Sequence, residues 1–587
     1  QELVFYTSNT NGSVTAKNIV LMSRDGAATT FLDGENKRVF DISHETDTTL
    51  HIIGFTITAS QGGENDSYGA VVKMRGSTQW NNNQTTFVTS GATFKNCVIT
   101  MFDSGDLEAE SDWEGAAFYI DVSNTVFDNC EFTNITVDNT ANGNNNYGAA
   151  VYFTEGEGSL LFNRSKLTNI TLKKTGNGNV HGGVIAVNIY RSADVTLVNT
   201  IVANNSLSHD PPNGTYAAYG GVIYYHAGGG HLKLINSTVV NNQLTTTENP
   251  FTDNTGSVIY MGDGNSDGNS PFLTIFNSII HSNTFTKNAG SQLETTSNNG
   301  QFAIIDDSND GVEVYASYSI IGGDDDLNGD DILNLVPDFL DSTFALHPRS
   351  SAIGAGVSEG EDALGDILNA PQTDFAGNVR PNPAGSNPDI GAWENSLAVS
   401  PYPDSPTDLF ATEDNQSVLL LWSTPDARDV VQYRIYYSDE SDSTNFTLVD
   451  STAGLYSTEG TVTGLTNDNR YWFYVTSVDT AGYESSPSIQ IVAEPRYLGP
   501  VWYVDTENGS GSGEGSIGDA FREIQDAIDA ADEGDTVMVL PGTYDRNADQ
   551  ELQFSVDNQN SGSVSPKNIV LFARDGPDST ILDGEVS

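Results

Sequence analysis

The chain has 587 residues, 24 Lys+Arg against 79 Asp+Glu, and a formal net charge of −55. Such acidity argues against nucleic acid and anionic membranes as partners, because phosphate binding needs clusters of Lys and Arg; no apolar run approaches the roughly 18 residues of a membrane span. It fits a secreted, cell-surface protein living in salt or divalent cations, which screen or bind surplus carboxylates, while two cysteines rule out a disulfide framework.

In chain order, the first feature is a duplication. Residues 1–35 (QELVFYTSNTNGSVTAKNIVLMSRDGAATTFLDGE) and 550–585 (QELQFSVDNQNSGSVSPKNIVLFARDGPDSTILDGE) share 22 identities in 35 aligned positions. Lys17, Arg24 and Asp33 fall 550 residues before Lys567, Arg574 and Asp583. One full unit of a tandem array is expected, its neighbours being further copies in one longer chain or end to end.

A finer period follows. Short apolar strands recur around FKNCVIT (94–100), FDNCEFTN (127–134), LVNTIVANN (197–205), LINSTVVNN (234–242) and FNSIIHSN (276–283). Taking Gly54, Asn96, Asn129, Arg164, Asn199, Asn236, Asn277 and Ser317 as anchors, the spacing runs from 33 to 42 residues. A second column keeps step with it, beginning at Gly69, Gly115, Gly148, Gly182, Gly220 and Gly256. One coil of a parallel β-solenoid per period explains both columns, since a single coil cannot bury its apolar face alone. Glycine admits the corner backbone, and the repeated Asn is expected to form an amide ladder along the axis.

These columns resemble the right-handed parallel β-helix repeats of secreted bacterial proteins. Residues 335–394 (VPDFLDSTFALHPRSSAIGAGV, TDFAGNVRP, PDIGAWE) resemble the closing segment of choice-of-anchor Q proteins, and 501–544 resemble the opening segment of the same class. The resemblance implies secretion and fold; it implies no particular chemistry. In 501–544, Phe521, Ile524, Ala527, Ile528 and Ala531 space as an amphipathic helix, with Asp519 as N-cap and Gly534 as terminator. Between them, SVLLLW (417–422), VQYRIYY (431–437), STEGTVTGL (457–465) and RYWFYVTSVD (470–479) alternate like strands. Trp422, Leu465 and Tyr471 resemble the core positions of a fibronectin type III domain, for which a spacer role is expected; there is no Arg-Gly-Asp tripeptide. The expected architecture is all-β: a right-handed parallel β-helix at 1–398, a fibronectin type III sandwich at 399–497, and the start of a second β-helix at 498–587.

For chemistry, Asp263, Asn265 and Asp267, then Asp324, Asp326, Asn328 and Asp330, place oxygen ligands at alternate positions beside Gly268 and Gly329, the opening of a calcium loop. Neither loop has a Glu at position 12, which is Thr274 or Leu335. No catalytic residues are assigned: polygalacturonase-like motifs are missing, and Lys73, Arg75, Lys95, Arg164, Lys166, Arg191 and Lys233 do not gather beside acids in either column. His181 and His226 are expected at the surface or at corners, and Cys97 and Cys130 as stacked, reduced thiols, because in-register strands hold Cβ atoms wider apart than a disulfide allows. The expectation is a non-catalytic extracellular stalk, filament or adhesin. Its alternative is a polysaccharide-binding or polysaccharide-cleaving β-helix, for which Lys73, Arg164 and Asp306 are the first suspects and extracellular glycans the partners.

Overall fold

The computed structural model describes the chain apart from residues 1–2, 5, 9–13, 17–18, 35–38, 44–48, 60–70, 76, 82–83, 89, 102–112, 115–116, 122, 141–144, 155–157, 190, 213–215, 247–257, 264–269, 290–291, 298–304, 307–311, 323–331, 334–335, 363, 426–429, 440–444, 533, 546–551, 559–562 and 584–587. It falls into two compact units, 1–405 with 483–486, and 406–482 with 487–587.

The first unit is a β-solenoid. Among the described residues a nine-stranded sheet carries the glycine column, a second nine-stranded sheet follows it in each coil, and a third sheet follows the Asn corner. Pairing along the axis is parallel and in register: Ile185 faces Ile223 and then Ile259, and Leu197 faces Leu234 and then Ile275. Alternation decides the faces, as in Ala193–Val198, where Ala193, Val195 and Leu197 are buried while Asp194 and Thr196 point outward. Like therefore stacks on like. Phe94, Phe127 and Phe162 lie one per coil, with ring centroids 5.3 and 5.0 Å apart, and Phe118 meets the first two edge-on. Each such fully buried ring is worth roughly 1.5–3 kcal/mol by transfer alone.

The corner is built by an asparagine and the residue after it. Asn96, Asn129, Asn199, Asn236 and Asn277 all have φ between 45 and 52°, with Gly54 at 76° and Arg164 at 49° in the same column. Asn tolerates this left-handed conformation better than other side-chain residues. The last anchor is Tyr318 (φ 47°) rather than Ser317, a one-residue slip hidden by the weak template there. The next residue is small and polar: Ser165, Thr200, Ser237, Ser278 and Ser319. Ser237 is typical. Its Oγ donates to the carbonyls of Leu197 and Ile235 and accepts the N–H of Thr200 at 3.2 Å. Cys97 and Cys130 occupy this position one coil apart as buried free thiols, Cys97 contacting the carbonyls of Ile52 and Lys95.

The expected amide ladder is displaced. At the corner column, among the described residues, Asn129–Asn96 (2.8 Å) and Asn277–Asn236 (3.4 Å) touch amide to amide. A continuous ladder instead follows a second left-handed column, Asn134, Asn169, Asn204, Asn241 and Ser282. There Asn205 donates to Asn242 at 2.9 Å and Asn242 to Asn283 at 2.8 Å, all three buried.

The closing segment lies along the flank of the solenoid. Phe344, Leu346, Ala352, Ile353, Ile390 and Ala392 pack on the outward-facing Ile201, Val240, Ile279 and Ile320 of the third sheet. The corner asparagines hold it: Asn199 donates to the Thr373 carbonyl, Asn236 to that of Asp389 and Asn277 to that of Val357. Inside it, Arg380 pairs with Glu394 at 3.2 Å, and both side chains are buried.

In the second unit, strands 407–414, 417–423 and 459–463 form one antiparallel sheet and 430–438, 447–453, 471–479 and 491–493 another. Trp422, Leu465 and Tyr471 are buried in one core with Tyr433 and Phe473. The Tyr471 hydroxyl accepts the N–H of Thr466 at 3.0 Å. Further on, Val501–Val504, Thr536–Val539 and Val570–Ala573 pair in parallel, covered by a helix at Ile524–Ala530 that buries Ile524, Ala527 and Ile528. That helix is shorter than expected. It is preceded by Glu523, which makes no side-chain cap, rather than by Asp519, and its C-terminal carbonyls are taken by Lys567.

Candidate functional site

The outward residues of the second sheet stack like the inward ones, so any side chain with chemistry recurs beside its neighbours about 4.8 Å away. At three successive coils these are Asp194 and Thr196, His231 and Lys233, and Phe272 and Thr274, with Asp194 opposite His231 and Lys233 opposite Thr274. The hairpin Glu359–Glu361/Ile367–Asn369 of the closing segment overhangs them. The result is a pocket of about 440 Å³ lined by Asp194, Thr196, His231, Lys233, Phe272 and Leu364.

Asp362 organises it. Its Oδ2 accepts from Lys233 Nζ at 2.6 Å and lies 3.8 Å from His231 Nδ1, while its Oδ1 accepts the N–H groups of Leu364 and Asp366. Burial pushes this carboxyl up, but Lys233 and the two N–H donors outweigh it and hold the pKa below the usual range. His231 Nε2 is 2.6 Å from the Thr274 hydroxyl, and its backbone N–H donates to Asp194. Burial, helped by Lys233, lowers the imidazole to about 4, so it is neutral near pH 7. A general base works best with a pKa near the working pH. This arrangement is therefore suited to holding polar groups such as hydroxyls, with a fixed cation, a neutral imidazole and a carboxylate rim.

Several expectations change here. Basic residues do meet acids: besides Lys233 with Asp362, Lys95 and Arg164 both reach Asp128 on the intervening coil at 2.8 and 3.2 Å. These pairs are invisible along the chain because the partners lie a coil, or 129 residues, apart. Lys73 is buried with its ammonium 5.9 Å from the Tyr119 ring centroid, and Asp306 ends the strand Ile305–Asp306. His181 is not a surface residue. It is buried between the rings of Tyr147 and Tyr219, at 4.6 and 5.2 Å and nearly parallel to both. Tyr224 and Tyr260 extend the same aromatic cluster; His226, half-buried, stacks on Tyr224. The signal was the Tyr or His immediately before the entrance glycine, at Tyr147-Gly148, His181-Gly182 and Tyr219-Gly220. Of the candidate calcium ligands, Asp263 ends the strand Ile259–Asp263 opposite Ala227. Asn265, Asp267, Asp324, Asp326, Asn328 and Asp330 lie outside the described residues. Among the described residues no His, Cys, Asp or Glu group of three or more is arranged to hold a metal ion.

The buried histidines predict an acid-sensitive rod. Burial depresses His181 to about 3 and His281 and His231 to about 4. Because the folded pKa values lie below the unfolded one, the contribution is intact above about pH 6.5 and lost as pH falls toward 4. Asp389, raised to about 7 by burial and by Glu394, acts with the opposite sign. The depressed histidines outnumber the raised carboxyl, so stability falls as pH drops from about 6.5 toward 4. Urea melts at pH 7, 6 and 5 should show the midpoint falling; a constant or rising midpoint would refute this.

Comparison with known families resolves one module. Residues 404–494 match the fibronectin type III domain model. They form a fibronectin type III domain. No curated protein matches the chain. Among solved structures, one described as a myokine structure is 17% identical, with a TM-score of 0.15, over 16% of this chain and 99% of that one. An Fn3-like protein from Clostridium thermocellum is 24% identical, with a TM-score of 0.14, over 16% and 97%. A beta-1,2-glucanase from Parabacteroides distasonis is 24% identical, with a TM-score of 0.16, over 19% of this chain and 16% of that one. No helix among the described residues is long and apolar enough to cross a membrane.

Proposed function

We propose that this is a non-catalytic structural and adhesive protein of the bacterial cell exterior: a β-helix rod and a fibronectin type III spacer, repeated by stacking on neighbouring copies as a stalk, filament or adhesin. The reading is supported above all by the unbroken in-register stack of the second sheet, from Thr49–Ile53 to Glu313–Ser317, which spends its inward residues on one core. The duplicated segment supports repetition, and the charge of −55 supports an exterior rich in salt and divalent ions. Calcium at loops 263–268 and 324–331 belongs to this proposal.

A second reading, polysaccharide binding or cleavage, is favoured by the pocket over Asp194, His231 and Lys233. Both are tested by incubating the protein with pectin, alginate and other acidic glycans. No new reducing ends or unsaturated products are expected. Turnover abolished by Asp194→Asn or Lys233→Ala, with unchanged melting, would put cleavage first. In the same samples millimolar calcium should raise the melting temperature and chelator lower it by mass action; an unchanged curve would remove calcium from the proposal.

A further inference from the structure

The pocket over Asp194, His231 and Lys233 has two apolar walls of separate origin. Phe272 follows His231 in the same outward column, one coil on, with ring centroids 5.8 Å apart and planes at 48°. Leu364 comes from the turn of the overhanging hairpin and is 57% exposed. That turn is closed on itself: the Asp362 N–H donates to the Asp366 carbonyl and the Gly365 N–H to that of Asp362, each at 2.9 Å. The Lys233–Asp362 pair then fixes the turn over the sheet. A few polar groups between apolar walls are the usual make-up of a small-molecule site. The volume of about 440 Å³ also lies within the roughly 300–1,000 Å³ that such sites occupy.

The hydrogen-bonding capacity of the floor is only partly used. Asp194, outward and exposed, accepts the His231 N–H at 3.1 Å through one oxygen, and a carboxylate has room for further donors. Lys233 carries three donors, of which Asp362 takes one. An acceptor and a donor thus stand on neighbouring coils of one face. Vicinal hydroxyls, each both donor and acceptor, satisfy the two together, while the C–H faces of a sugar ring meet Phe272 and Leu364.

Charge selects among sugars. Asp362, Asp194 and Asp366 all act on His231 as negative neighbours, against Lys233 alone, and Glu313 stands exposed beside Phe272. Asp362 already neutralises Lys233, and His231 is uncharged near pH 7. A uronic acid would bring its carboxylate into this surplus of negative charge, on a chain of net charge −55. No unneutralised cation among the described lining residues would receive it. We propose that the pocket binds an uncharged pyranose residue of a neutral glycan, with Asp194 and Lys233 on adjacent hydroxyls and Phe272 and Leu364 against its C–H faces. The acidic surround turns uronates away. This inference rests on the glycan reading of the same pocket, narrows it to one class of sugar, and requires binding without turnover.

Calorimetric titration of the full chain with xylotriose, cellotriose, mannotriose and maltotriose, beside trigalacturonate, tests it. At least one neutral trisaccharide should bind with a millimolar or tighter Kd. Trigalacturonate should bind at least tenfold more weakly at low salt, the gap closing as salt screens the acids. Phe272→Ala should weaken the neutral sugar at least tenfold. Leu364→Ala, at an exposed position where the fold has little to lose, should weaken it at least threefold. Asp194→Asn should weaken the neutral sugar and strengthen trigalacturonate. Neutral-sugar binding untouched by both alanine variants would lie elsewhere and overturn the assignment. Trigalacturonate bound as tightly as the neutral sugars, and lost in Lys233→Ala, would overturn the neutral class while keeping a glycan site here. Binding of none of the five, with a cooperative melting curve, would remove the glycan reading together with the proposal.

Discussion

Asn242→Leu is expected to destabilise the solenoid by roughly 2–9 kcal/mol, two or three orphaned buried groups at about 1–3 kcal/mol each. Asn242 Oδ1 accepts both the backbone N–H and the side-chain amide of Asn205, at 3.1 and 2.9 Å. Its Nδ2 donates to the Val202 carbonyl at 3.0 Å and to Asn283 at 2.8 Å. Leucine matches the volume and none of these bonds, and the position is buried, so the orphaned groups carry their full desolvation cost. Urea unfolding gives the size of the loss, and hydrogen exchange should place it at Asn205, Asn242 and Asn283. The comparison is Asn129→Gly at the exposed corner, where glycine keeps the left-handed backbone and the change should stay within a few tenths of a kcal/mol. Equal midpoints for the two variants would mean that the buried ladder is not a structural element.

Gly182→Val should cost on the order of 4 kcal/mol or more, enough to depress soluble yield. Gly182 sits at φ +70°, and a Cβ there would lie 2.2 Å from the Ile185 carbonyl oxygen. Gly148 and Gly220, on the coils either side, would meet their own Val151 and Ile223 oxygens at the same 2.2 Å, so no coil can yield to its neighbour. Gly26→Ala separates conformation from collision: φ is +84° but nothing lies within 4 Å, and a loss of about 1 kcal/mol is expected. Thermal unfolding of both variants checks this, and a Gly182→Val protein with an unshifted midpoint would show that the corner is not sterically closed.

The coil architecture was legible because its two columns repeat: the Asn corner and the glycine entrance each force the backbone into a conformation few residues accept. The fibronectin type III module was legible from Trp422, Leu465 and Tyr471 for the same reason, each being placed by a local strand pattern. What stayed hidden were contacts set by stacking distance rather than sequence distance. Lys233 and Asp362 meet because the closing segment doubles back, and nothing in either local sequence announces it. Asn205, Asn242 and Asn283 look like solvated turn residues beside their left-handed neighbours Asn204, Asn241 and Ser282, since an Asn-Asn step does not say which amide turns inward. His181 stands at a corner, beside Gly182, but is buried rather than exposed, because its partners, Tyr147 and Tyr219, are contributed by the preceding and following coils.

The closing segment bears on how the rod behaves under load. A stack bound only through adjacent coils comes apart like a zip, each coil peeling once its outer neighbour has gone. Here Thr373, Asp389 and Val357 are fastened to Asn199, Asn236 and Asn277, which belong to three successive coils. Gly391 N–H donates to the Asn277 carbonyl and Ala392 N–H to the Thr238 hydroxyl alongside them. Tension arriving from the C-terminal side is therefore shared among those coils in shear, and the outermost cannot peel before the strap has let go of the two behind it.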